Sequence, residues 1–168
     1  MSESDQSAPV PSTTADREIV IARVISAPRE RVFEAFTEVR HLSHWWGPAG
    51  FTTITRAFEF RIGGEWAFVM HGPDGADFQE WILFTDISPP ERIALLHGES
   101  SDDPNAFESV LTLTAEGPDT RLEMRTVFPT RELRDEAVER YHAIEGGRQT
   151  LDSLADYVTA ILRKEAGA

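Results

Sequence analysis

The chain has 168 residues, 40% of them apolar and 27% charged, with no cysteine and a formal net charge of −13. That length suits one domain, and the missing thiols exclude a disulfide framework, a thiolate metal site and a cysteine nucleophile. The acidic excess repels phosphate backbones and anionic lipid, and neither a membrane-spanning run nor a signal peptide is legible, so the expectation is a cytoplasmic protein with no nucleic-acid partner and no membrane insertion.

Residues 1–17 combine Ser, Thr, Pro and acids with no aromatic residue, which predicts a disordered tail ahead of a single domain over 18–165. Glu18 to Ser26 is apolar at consecutive positions and predicts a strand covered on both faces. Pro28 suits the first turn of a helix, and Val32, Phe33 and Phe36 share one helical face. A second short helix is expected from Glu38 to Trp45, closed by Gly47-Pro48. Thr52 to Phe60 then changes to a period of two. Trp66, Phe68 and Met70 alternate with Glu65, Ala67 and Val69 as a half-buried strand. Gly72-Pro73-Asp74-Gly75 turns into a strand over Phe78 to Ile87, and Ile93 to His97 follows. A hairpin joins Ser109–Ala115 to Thr120–Phe128. Leu133, Ala137, Tyr141, Ile144, Leu151, Leu154, Val158 and Ile161 recur at three- and four-residue steps, predicting one amphipathic helix of about eight turns, weakened at Gly146-Gly147.

This order predicts an α+β fold with a curved antiparallel sheet of six to seven strands, two short helices after the first strand, and a long C-terminal helix across the sheet. Register then separates the faces. A four-residue loop in the second hairpin pairs Ala115 with Thr120, Leu113 with Leu122, Leu111 with Met124 and Ser109 with Thr126. The same loop length in the first pairs His71 with Ala76, which sets Trp66 opposite Trp81 and turns Trp81 and Leu83 inward. Of the adjacent Trp45 and Trp46, one is expected to seal the helix–sheet junction and the other to line an opening, since two neighbours on an extended chain face opposite ways.

The inner face mixes bulky aromatics and Met with Ser109, Thr126 and Gln79, a composition that suits a ligand pocket as well as a solid core. The candidate ligand-binding residues are Trp45, Trp66, Phe68, Met70, Trp81, Leu111, Met124, Phe128 and Tyr141. No motif points to a cofactor, and no nucleophile elbow or triad signature marks a catalytic residue. Glu38/His41, His41/His44 and Glu139/His142 have metal-ligand spacing, but they lie on short polar helices rather than four converging long ones, so no metal site is expected. His97 is the one titratable side chain expected near a cavity rim.

The tracts Arg23-x-x-x-Ala27-Pro28-x-x-x-Val32-Phe33, Trp45-Trp46-Gly47-Pro48 and Gly63-Gly64-x-Trp66-x-Phe68-x-Met70-x-Gly72-Pro73-Asp74-Gly75 carry a family resemblance. So do Asp86-Ile87, Pro89-Pro90-Glu91-Arg92, Glu145-Gly146, Thr150-Leu151-x-x-Leu154 and Tyr157. In that order they resemble the heat-shock-protein ATPase activator homologue family, within the helix-grip superfamily of START domains and the birch-pollen allergen. The resemblance spans about residues 18–163. It implies a sheet gripping the C-terminal helix over a hydrophobic cavity, and three functions. The first is non-catalytic binding of a small apolar or aromatic ligand, lipid or polyketide-like. The second is a protein-partner role, as in chaperone activators, using the acidic surface and the Trp45/Trp46 edge. The third is a cyclase or hydrolase working inside the cavity.

Overall fold

A computed structural model describes residues 13–167; residues 1–12 of the expected tail lie outside the described residues. Residues 13–17, assigned by composition to the same tail, form a turn and a short 3-10 helix whose Arg17 donates to the Phe128 carbonyl at 2.6 Å. Seven strands follow: β1 (Glu18–Ile25), β2 (Thr52–Phe58), β3 (Glu65–His71), β4 (Asp77–Ser88), β5 (Arg92–Gly98), β6 (Phe107–Glu116) and β7 (Asp119–Val127). Four helices complete the fold: α1 (Arg29–Glu34), α2 (Val39–Trp45), α3 (Arg131–Glu139) and α4 (Ala143–Gly167). All pairings are antiparallel in the order β1-β7-β6-β5-β4-β3-β2, so β1 crosses to the far edge and α1 and α2 fill the crossover. The result is the curved sheet and long terminal helix expected from the element order. Among the described residues no helix is long and apolar enough to cross a membrane.

The β6–β7 hairpin has the expected register, with Leu111 opposite Met124 and Ser109 opposite Thr126. The β3–β4 hairpin is shifted by one. His71 pairs with Asp77, not Ala76, because the loop holds five residues and Gly75 takes φ +90°. One extra residue reverses every side chain of β4. Ile82 and Phe84 point into the core, whereas Trp81 lies on the opposite face beside Ala67, its indole N–H donating to Glu65 Oε1 at 2.6 Å.

Three further expectations need correction. β1 is not covered on both sides: Ile19, Ile21 and Ile25 are buried while Val20 and Val24 are exposed. It is an edge strand with a single inner face. The C-terminal helix is two helices, broken at Arg140–His142 rather than at the glycines, with His142 in the left-handed region at φ +54°. The apolar spacing of the sequence runs on through the break, although Tyr141, at the break itself, is exposed. Trp45 and Trp46 both face inward. Trp45 ends α2 with its N–H on the Ala35 carbonyl at 3.0 Å, and Trp46 follows in extended geometry, swinging its ring against Trp66 at 5.0 Å.

Candidate functional site

The concave face of the sheet and the first turns of α4 touch at Gly147 but do not pack along their whole length. Between them lies a cavity of about 280 Å³. Its floor comes from alternate residues of five strands: Ile19 and Ile21 of β1, Met124, Thr126 and Phe128 next to them, then Phe107, Ser109 and Leu111, then Leu95 and His97, with Met70 beyond. Trp45, Trp46, Gly47 and Pro48 close one end, and Ala143, Gly146, Gly147, Thr150 and Leu151 of α4 form the roof. Tyr141, 61% exposed, stands with His142 at the mouth, where the helix break has carried it.

Two glycines shape this space. Gly147 brings α4 so close to the sheet that an added Cβ would lie 2.4 Å from Ile21 Cδ1 and 3.3 Å from Met124 Cε. Gly47 has φ +109°, and a Cβ there would meet Met70 Cε at 2.6 Å. Both are places where backbone itself is wall. Two groups of rings stand in the wall: Trp45 meets Trp46 at 5.5 Å, and His97 meets Phe107 at 4.9 Å, which meets Phe128 at 5.1 Å. Edge-on and tilted ring contacts of this kind hold a wall rigid without filling the space beside it.

The candidate residues divide sharply. Trp45, Met70, Leu111, Met124, Phe128 and Tyr141 line the cavity. Trp66 and Phe68 do not; stacked at 4.0 Å, they are 1% exposed and belong to the core that supports the wall. Trp81 is excluded by its register. Trp46, Gly147 and the Ser109–Thr126 pair enter instead, the two hydroxyls 3.2 Å apart and buried. Trp46 was legible as an unusual residue but not as an inward one.

Of the histidines with metal-ligand spacing, His41 and His44 serve packing, and His142 stands at the cavity mouth. His41 Nδ1 lies 2.6 Å from the Tyr157 hydroxyl and His44 stacks on the same ring at 5.4 Å, joining α2 to α4. No group of three or more His, Asp or Glu side chains converges on a metal position among the described residues. Burial, then Arg40, pushes the His41 pKa below its usual 6.5, against the opposing pull of Glu38 and Glu34, with His44 adding to the lowering. A group with a depressed folded-state pKa contributes its full stability above the unfolded value and loses it as pH falls through the folded one. The melting temperature is therefore expected to drop on acidification below about pH 6.5, and less steeply in His41→Gln than in the parent. Parallel acid limbs for the two proteins would contradict this.

Comparison with known proteins follows the geometry. The family described as Activator of Hsp90 ATPase homolog 1-like protein matches residues 26–159. Among solved structures, a protein from Arthrobacter aurescens is similar at 23% identity and a TM-score of 0.80, over 90% of this chain and 91% of that one. A protein from Chromobacterium violaceum has 24% identity and a TM-score of 0.74, over 84% and 96%. The AHSA1 protein from Silicibacter pomeroyi has 21% identity and a TM-score of 0.70, over 85% and 98%. At such identities the likeness concerns the fold. No curated protein matches the chain.

Proposed function

The chain belongs to the Activator of Hsp90 ATPase homolog 1-like family, and on that premise we propose that it binds a small apolar or aromatic molecule, without turnover, in the cavity beneath α4. The observation that carries this reading is the space itself. A void of about 280 Å³ lies near the small end of the range for ligand pockets. Larger residues at Ser109 or Thr126, in the floor, would fill part of the space. A carrier role accounts for residues that leave it open.

The protein-partner alternative uses the acidic surface, which a net charge of −13 leaves available, and the Trp45/Trp46 edge. Trp45 is buried and Trp46 packs against the core, so neither offers a surface to a chaperone. The enzyme alternative requires a reactive group among the wall residues, and the wall holds the mutually bonded hydroxyls of Ser109 and Thr126, those of Thr150 and Tyr141, and the two histidines His97 and His142.

Titration with the neutral fluorophore N-phenyl-1-naphthylamine tests the proposal. Saturable enhancement at one dye per chain is expected, since one apolar cavity of this size admits one such molecule. Fluorescence that never saturates, or no enhancement, would overturn the carrier reading.

A further inference from the structure

The wall of the cavity is mostly carbon, and its polar groups include the Trp46 indole N–H and, at the mouth, the exposed Tyr141 hydroxyl. Ser109 and Thr126 bond to each other at 3.2 Å. Thr150 donates to the Gly146 carbonyl of its own helix at 2.9 Å. His142 stands exposed at the mouth. His97 differs. It faces the cavity from β5, and its Nε2 lies 2.6 Å from Oε1 of Glu80. The two side chains are only 16% and 21% exposed.

The strand register explains the pair. His97 stands opposite Ile82 on β4, so Glu80 is its diagonal neighbour on the same face, within reach of a long side chain. The imidazole is held by ring contacts with Phe107 at 4.9 Å and Phe68 at 6.2 Å. A carboxylate can only accept, so Nε2 carries a hydrogen, and in the singly protonated ring Nδ1 is the bare lone pair. No second hydrogen bond to His97 occurs among the described residues. An acceptor of this kind, in a wall of carbon, is the sort of isolated polar group that orients a ligand in an apolar pocket.

We propose that His97, held in its Nε2–H tautomer by Glu80, is the polar anchor of the cavity and selects apolar ligands that carry a hydrogen-bond donor, above all an aromatic hydroxyl. The inference rests on the carrier reading and narrows it to a ligand class. Aromatic rings on the wall favour a planar partner, and a phenol is a stronger donor than an aliphatic alcohol. Carboxylate ligands are disfavoured, because the anchor offers a lone pair beside the Glu80 charge in a chain of net charge −13. Glu80 acts as a positioning residue, reaching the ligand only through the ring.

Calorimetric titration with 2-naphthol, 2-methoxynaphthalene and 2-naphthoate tests this. The three share one ring system and differ in the group offered to His97. 2-Naphthol is expected to bind about fivefold tighter than its methyl ether, the effect of one ordinary net hydrogen bond, and 2-naphthoate more weakly than either. His97→Phe should abolish the preference while 2-methoxynaphthalene still binds, and His97→Asn, which keeps an acceptor, should retain part of it. In ¹⁵N spectra of the unsubstituted protein His97 should show a protonated Nε2 and a bare Nδ1. Glu80→Leu should shift that tautomer equilibrium and reduce the naphthol preference. Equal affinities for naphthol and its ether, a preference that survives in His97→Phe, or naphthoate binding tightest would each overturn the anchor while leaving the carrier reading standing. If no naphthalene probe binds, the carrier reading fails and the anchor fails with it.

Discussion

Replacing Ser109 and Thr126 together by Leu is expected to lower affinity for N-phenyl-1-naphthylamine at least about tenfold while leaving the melting temperature unchanged or higher. The two hydroxyls satisfy each other across the β6–β7 ladder and lie in the cavity floor. Removing one alone strands a buried partner, at a cost of about 1–3 kcal/mol, whereas removing both leaves no unmet group. The added carbon enters space that is already apolar, so it meets the walls rather than displacing them, and burial adds about 0.8 kcal/mol per methylene. A loss of about 1.4 kcal/mol in binding corresponds to each tenfold fall in affinity, which the exclusion of one ring of the dye readily exceeds. Circular-dichroism melting beside the dye titration separates the outcomes. Unchanged affinity in a folded double variant would show that the dye sits elsewhere.

The largest stability effect is expected at a residue that the cavity does not use. Trp66→Ala should destabilise the fold by about 3–5 kcal/mol, as truncation of a buried aromatic does. Trp66 is 1% exposed, stacks on Phe68 at 4.0 Å, meets Trp46 at 5.0 Å, and donates its N–H to Thr55 Oγ1 at 3.0 Å. Its loss removes the support behind Trp46 and leaves the Thr55 hydroxyl without that donor. Against a typical total of 5–15 kcal/mol this approaches unfolding at physiological temperature. Urea denaturation measures it. A loss below about 1 kcal/mol would place Trp66 outside the core.

The sequence made the architecture legible because strands and helices announce themselves by period, and the β6–β7 register followed from Ala115 and Thr120 flanking a turn of evident length. Faces were harder. In the β3–β4 hairpin a single residue, accommodated by the positive φ of Gly75, decided that Ile82 rather than Trp81 points inward, and turn composition does not specify that count. The break before α4 left no trace in the apolar spacing, since Tyr141 and Ile144 stay in phase across it. Trp46 misled because neighbouring residues oppose each other only while the backbone stays regular, and α2 ends between Trp45 and Trp46. The open space itself depends on distances between elements, which no local pattern encodes.

Methyl-resolved NMR with N-phenyl-1-naphthylamine separates the interior of the sheet from its exterior along a single strand. Ile19 and Ile21 line the cavity, whereas Val20 and Val24 of the same strand are exposed on the other face. Guest binding beneath α4 predicts that resonances of Ile19, Ile21, Leu111 and Met124 move and saturate at one equivalent while Val20 and Val24 stay in place. Movement confined to Val20 and Val24, or no saturating movement at the interior methyls, would contradict it.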